Sequence, residues 1–158
     1  MARLTREFFA RRSDVVAKEL LGRTVVTRDS NGTEMRLILT EVAAYEGHTK
    51  TTSEGTQYDP GRISISTKCG GHRLIDIATA MQGVSSCVTL RAGEDPSGES
   101  IKGPGNVSKA LGITRGNQNF YESASIYGDK MWIEGETHEG DTRRRKGNSA
   151  NCLGFYRI

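Results

Sequence analysis

Residues 40 to 47 read T-E-V-A-A-Y-E-G. The apolar stretch L-I-L-T-E-V runs into small residues, then a tyrosine and a glycine, as a strand does when it leaves a core and delivers side chains to a surface. Glu41 and Ala43 stand two apart, so on a strand they point to the same face. A carboxylate that could move a proton and a methyl that could not therefore share one face, just before Tyr45. A second acid, Asp76, interrupts the run R-L-I-D-I-A-T, where a carboxylate is costly unless it is paired or turned into a cleft. Arg91 follows the apolar V-T-L, placed either for burial against a carboxylate or for a phosphate or pocket role. Lys109 lies on a short helix beside K-G-P-G, where it suits a phosphate contact aided by backbone N–H groups. Arg143, Arg144, Arg145 and Lys146 run together in T-R-R-R-K-G, a loop-like stretch that reads as a solvated turn or as a phosphate-contacting loop.

No familiar catalytic signature accompanies these residues. P-loop, G-x-S-x-G, H-E-x-x-H and Rossmann patterns are all missing. The three cysteines, Cys69, Cys87 and Cys152, are unevenly spaced and form no C-x-x-C pair, which argues against a disulfide framework and a structural zinc site. His48, His72 and His138 show no ligand spacing, so no metal and no organic cofactor is expected. Net charge is +3 with a pI near 8.8, a balance that permits binding to phosphates without requiring it.

The elements that must position these groups follow from the pattern. At 158 residues the chain fits one domain, 1–158, around one core. Hydrophobic content of 35% with 26% charged residues is that of a globular protein. No apolar run reaches the ~20 residues of a membrane helix, and M-A-R-L-T-R-E-F-F lacks a secretory apolar core. The expectation is a cytoplasmic or nucleoid protein (nuclear in a eukaryote), not membrane-bound and not secreted. Thr5, Glu7 and Phe8-Phe9 start a short helix. Ser13-Asp14 cap a second, D-V-V-A-K-E-L-L, stopped by Gly22. Strands are predicted over 23–28 and 34–43, joined at S-N-G-T, then over R-I-S-I-S-T, H-R-L-I-D-I-A-T, S-C-V-T-L-R-A, I-Y-G-D-K-M-W-I-E-G and C-L-G-F-Y-R-I. An exposed loop is expected over 46–62, further loops over 93–105 and 142–147, and a helix over N-V-S-K-A-L-G-I with Gly112 as its stop. The fold class is α/β (α+β): a curved, mostly antiparallel sheet with a few short helices.

Six phrases stand in order along the chain: F-F-A-R-R-S-D-V-V-A-K-E-L-L-G, T-E-V-A-A-Y-E-G, P-G-R-I-S-I-S-T-K-C-G-G, V-T-L-R-A-G-E-D-P-S-G, K-G-P-G-N-V-S-K-A-L-G-I and G-F-Y-R-I. Together they resemble the alkyladenine (3-methyladenine, methylpurine-type) DNA glycosylase family over nearly the whole chain. The resemblance implies a monofunctional hydrolase of base excision repair, a monomer that binds duplex DNA through the minor groove. It implies that a damaged purine is flipped into an aromatic pocket where a glutamate activates water. Set against the family phrase T-E-x-E-A-Y-x-G, that glutamate falls on Ala43, a flanking glutamate on Glu41 and the base-stacking tyrosine on Tyr45. The tyrosines of P-G-x-x-Y-V-Y-x-x-Y-G fall on Ser64, Ser66 and Cys69, with Cys69 at the position that wedges into the stack and Gly70 after it. The pocket asparagine falls on Asp76, and spacing puts the pocket histidine at Glu54. Arg91, Gly103-Pro104-Gly105 and Lys109 are kept. Two functions are therefore expected: an alkylpurine glycosylase impaired at Ala43, with Asp76 or Glu41 as substitute bases, or a non-catalytic DNA- or ligand-binding member, an engineered variant included.

Overall fold

The S-N-G-T hairpin starts the sheet. Asp29 Oδ1 accepts from the N–H groups of Asn31 and Thr33, each at 2.9 Å, and Gly32 takes φ +85°. That turn folds β1 (Thr24–Arg28) against β2 (Glu34–Tyr45) with Val25 opposite Leu37. The computed structural model describes residues 2–45, 59–68, 71–80, 86–137, 140, 142–146 and 152–157, with 68, 143–146, 152, 153, 156 and 157 described by backbone alone. Among them the strands β3 (Ile63–Lys68), β4 (His72–Ala78), β5 (Cys87–Glu94), β6 (Ser100–Lys102), β7 (Met131–Glu134), β8 (Thr142–Lys146) and β9 (Cys152–Arg157) complete one sheet. Its order is β3-β4-β5-β2-β1-β7, with β6 on β5, β9 on β2 and β8 on β9, and every pairing is antiparallel. One edge of β2 is shared: residues 34–38 pair with β1 and residues 41–45 with β9. The sheet curls where the partner changes.

Alternation sorts each strand into a core face and an opposite face. Ile63 and Ile65, Ile75 and Ile77, and Val88 and Leu90 all enter the core. On β2 the alternation breaks once. Leu37 and Leu39 face the core, but so do Val42 and Ala44, and the pairing with β5 shifts register between Leu39 and Glu41 and again between Glu41 and Val42. The irregularity is a β-bulge, which re-aims the side chains that follow it. Without it Glu41 and Ala43 would lie in phase with Leu39. With it Glu41, Ala43 and Tyr45 turn to the face opposite the core.

Short helices close the core side. α1 (Arg6–Phe9) buries Phe9, and α2 (Ser13–Leu20) buries Val16, Ala17 and Leu20. The cap of α2 differs from expectation. Its N-cap is Arg12, without a side-chain cap bond, and Asp14 serves as the acidic residue of the first turn. Gly22 at φ +87° leads out of the helix as expected. Leu20, Leu21, Val88 and Leu90 are fully buried, a contribution on the order of 1.5–3 kcal/mol each. α3 (Pro104–Ala110) starts with proline in its first turn, buries Val107, and leads out through Gly112 at φ +76°.

Two expected loops are corrected, and so is the exposure expected of a third. Within 93–105, Ser100–Lys102 pair with Ala92–Glu94 as β6. The stretch T-R-R-R-K is strand β8 rather than loop, paired along β9; charged side chains suit a strand at a sheet's edge. Pro60 and Gly61 are buried, and a Cβ on Gly61 would stand 2.7 Å from Tyr127 Cε1. Most of the remaining 46–62 stretch lies outside the described residues. A further helix, α4 (Gln118–Tyr121), was not anticipated. The strand expected over I-Y-G-D-K-M-W-I-E-G is confined to Met131–Glu134.

Candidate functional site

Backbone register assembles a row across the face opposite the core. Ala43 pairs with Gly154 on one side and Thr89 on the other. Thr89 in turn pairs with Asp76, and Asp76 with Ser64. Cross-strand partners share a face, so positions 154, 43, 89, 76 and 64 form one line over five strands. In the next row Tyr45 stands between Cys87 and Cys152. On its other side Ala43 is followed, two residues back along β2, by Glu41, whose partner on β9 is Tyr156. The opening pair of the sequence thus shares a face, and the bulge sets which one.

The row is covered, small and polar. Ala43 is 1% exposed, Thr89 2% and Asp76 9%. Thr89 Oγ1 donates to Asp76 Oδ1 at 2.5 Å and Ser66 Oγ bonds Asp76 Oδ2 at 3.2 Å. Hydroxyl donors at a carboxylate satisfy the charge that burial penalises, and such bonds are the stronger kind. Asp76 and Ala43 lie two strand spacings apart, about 10 Å. Ser64 Oγ stands 3.5 Å from Glu122 Oε1, while Glu122 Oε2 accepts the N–H of Ile65 at 2.5 Å. That carboxylate takes the place of a neighbouring strand at the open edge of β3. Neither serine offers an aromatic surface.

Glu41 and Arg91 form an ion pair at 3.5 Å, with side chains 17% and 31% exposed. Of the two roles open to Arg91 in the sequence, the structure shows the first: packing against a carboxylate. Partly exposed pairs of this kind contribute up to about 1 kcal/mol. The Arg91 carbonyl also receives the N–H of Gly103 at 2.9 Å, tying β5 to the G-P-G turn.

Other expected residues fall elsewhere. Lys109 lies in the last turn of α3, whose Val107 packs into the core, so the lysine is on the side of the sheet away from Ala43. With Lys102, Asn106 and Glu99 it borders an open groove of about 460 Å³. Arg143, Arg144 and Arg145 belong to β8; positions 143 and 145 pair with Tyr156 and Gly154, the β9 partners of Glu41 and Ala43. Cys69, Gly70 and Glu54 lie outside the described residues. Sequence reasoning missed Thr89 and Glu122, the groups that hold Asp76 and Ser64. Thr89 could have been found from alternation, two before Arg91 on V-T-L-R. Glu122 carried no signal, because it reaches β3 from a turn after α4. Among the described residues no group of three His, Cys, Asp or Glu could hold a metal ion. No helix among them is long and apolar enough to cross a membrane.

Comparison with known proteins gives a consistent picture. Residues 7–151 match the family model described as methylpurine-DNA glycosylase. A protein of Anaeromyxobacter sp. (strain Fw109-5), named "Putative 3-methyladenine DNA glycosylase", is 33% identical over 144 residues, covering 84% of this chain and 72% of the relative. Proteins of the same name from Corynebacterium glutamicum and Aeropyrum pernix are each 32% identical. The alignment covers 95% of this chain and 89% of the relative for the former, and 87% and 77% for the latter.

Proposed function

The chain belongs to the methylpurine-DNA glycosylase family, and on that premise we propose that it binds duplex DNA as a monomer, through the minor groove, with excision of alkylated or deaminated purines absent or very slow. The observation that carries this reading is the row through Ala43. Aligned with the family's water-activating glutamate, this position holds a methyl that is 1% exposed, with Thr89 and Gly154 beside it. A general base must lie within about 2.6–3.2 Å of the proton it takes, or reach it through one water. Asp76, about 10 Å away across two strands, does not meet that condition for the same water. Its oxygens already accept from Thr89 and Ser66. Glu41 shares the face but stands about 7 Å along the strand and is paired with Arg91.

What remains suits holding DNA better than cutting a glycosidic bond. Tyr45 keeps the stacking position, while Ser64 and Ser66 replace two others. Stacking on an aromatic side chain is worth about 1–3 kcal/mol per base, so two lost platforms leave the flipped nucleotide thinly populated. The same features favour a second reading, a family member that binds DNA or another ligand in this cleft without chemistry. One experiment separates them. Duplexes carrying hypoxanthine or ethenoadenine are incubated with excess protein, and abasic sites are revealed by alkaline cleavage. Retardation of the duplex at low salt with slow cleavage above the blank supports the impaired glycosylase, and retardation with no cleavage supports the binding member. Slow cleavage abolished by Asp76→Asn would instead make Asp76 the base, and brisk excision would refute the assignment of Ala43.

A further inference from the structure

Two outer edges of the sheet are closed by other parts of the chain. The edge of β3 is met by the turn after α4, where Ile63 N–H donates to the Ala124 carbonyl at 2.8 Å and Ser123 N–H to the Ile63 carbonyl at 2.9 Å. The edge of β7 is met by Leu4, whose N–H donates to the Ile133 carbonyl at 2.8 Å. The start of β2 differs. Leu39 N–H donates to the Arg23 carbonyl, so Met35, Leu37 and Leu39 turn their backbone groups to the β1 side, and Glu34 and Arg36 turn theirs to the other. β5 ends on that side at Glu94, opposite Ile38, and among the described residues no strand lies beside Glu34 and Arg36. The gap opens into a notch of about 380 Å³, with Met35, Pro96, Ile101 and Ala110 as its apolar lining. Met35 is 40% exposed, one of three large apolar side chains left so among the described residues, which marks the notch as a surface with a use. It has the phase of Leu37, so the notch lies on the helix side, away from Ala43. Its ends are fixed. Thr27 Oγ1 donates to the Leu111 carbonyl at 2.7 Å, holding the end of α3 on β1, and Asp95 Oδ1 accepts from the N–H groups of Ser97 and Glu99, each at 2.9 Å. Among the described residues no cation pairs with Asp95, whereas Arg36 is already held by Glu34 and Glu134, at 3.3 and 3.4 Å.

We propose that this notch docks an extended segment of a partner protein, which adds a short strand to β2 at Glu34 and Arg36. The segment carries an apolar side chain over Met35 and Ile101. Two positions along, where a strand returns to the same face, it carries a basic side chain for Asp95. Backbone bonds to Glu34 and Arg36 supply affinity, and the two side chains supply selectivity. The walls stand in place before binding, so the ordering cost falls on the segment alone. Notch and Ala43 row lie on opposite faces, so a docked segment does not reach the row.

The test uses the full chain and a blocked, fluorescein-labelled peptide, T-T-V-T-K-T, read by fluorescence anisotropy and by hydrogen exchange at the amides of Glu34 and Arg36. Saturable binding below about 1 mM, with slower exchange at both amides, is expected. Met35→Asp charges the floor at an exposed position and should weaken binding about tenfold or more, while Met35→Leu should bind as the parent does. Asp95→Asn should weaken it about two- to fivefold at low salt, and glutamate in place of the peptide's lysine by more. N-methylation of the two threonines that flank the valine removes the donors opposite Glu34 and Arg36 and should abolish binding. Absence of binding up to about 1 mM would overturn the proposal. So would binding that leaves exchange at Glu34 and Arg36 unchanged, or affinity indifferent to Met35→Asp in a variant whose urea midpoint matches the parent's. Self-association of the parent that slows the same two amides would put a second copy in the notch and likewise overturn it.

Discussion

Replacing Ala43 by glutamate puts the row across the sheet to a quantitative test. The new carboxylate would enter a position that is 1% exposed, with Gly154 leaving room on one flank and Thr89 on the other. Thr89 has one hydroxyl proton, and Asp76 already holds it at 2.5 Å. The incoming group therefore finds no free donor there, and a second negative charge lies about 10 Å away. At an effective dielectric constant near 20, two charges at that distance repel by about 1.7 kcal/mol. Ala43→Glu should destabilise the fold by at least that amount at pH 7. Asp76→Asn removes the charge and should recover about 1–2 kcal/mol in the double variant. Urea unfolding of the parent, both single variants and the double variant at pH 7 measures the coupling. Costs that add to within a few tenths of a kcal/mol would refute the shared face. For activity, a positioned base contributes about 10²–10⁴-fold, yet Ala43→Glu alone should restore little excision, because Ser64 and Ser66 still lack a stacking face. Full activity from the single variant would refute the stacking argument.

Gly93→Ala should cost about 1–3 kcal/mol in thermal or urea unfolding, since the added Cβ would fall 2.4 Å from Leu37 Cγ and 2.8 Å from the Ile38 carbonyl; a neutral variant would mean that β2 and β5 are spaced differently. Duplex binding should weaken with salt at a slope of about −0.9 per phosphate contact, and replacing Arg143 and Arg145 by glutamine should make it shallower by up to two contacts; an unchanged slope would take β8 out of the interface. The Ser97 hydroxyl and the backbone N–H groups of Glu99, Ser97 and Gly98 hold the Asp95 carboxyl below the usual aspartate range. Its stabilisation is therefore present above about pH 4 and lost as pH falls through the lowered folded value, so Asp95→Asn should flatten the acid limb of a pH–stability profile, and an unaltered limb would count against the turn.

Much of the fold was legible because alternation writes itself into composition. I-S-I-S-T, L-I-D-I-A and C-V-T-L each mark their buried face by every second residue, and S-N-G-T marks the turn between β1 and β2. β6 and β8 were illegible for a shared reason. Ser100–Lys102 and T-R-R-R-K carry no apolar period, and their strand character comes from the open backbone edges of β5 and β9. The site was half legible. The common face of Glu41 and Ala43 follows from spacing, but which face that is depends on a bulge in L-I-L-T-E-V-A-A, where no glycine or proline announces it. The partners of Asp76 and Ser64 come from other strands and turns, so only register and folding bring Thr89 and Glu122 to them.

The bulge on β2 works as a parity switch, and it separates two kinds of genetic change. A substitution at residue 43 alters what the outer face can do while Val42 and Ala44 hold the core as before. Losing one residue at Thr40 or Glu41 would take out the extra residue of the bulge, and regular alternation from Leu39 would still send Val42 and Ala44 inward and Ala43 and Tyr45 outward. Losing a residue beyond the bulge does the reverse: without residue 43, Ala44 would turn outward and Tyr45 inward. The strand therefore tolerates rewriting letter by letter, and a change in its count only where the bulge absorbs it. A carboxylate at residue 43 can be gained or lost by substitution with the scaffold intact, whereas losing the residue itself would drive Tyr45 into the core.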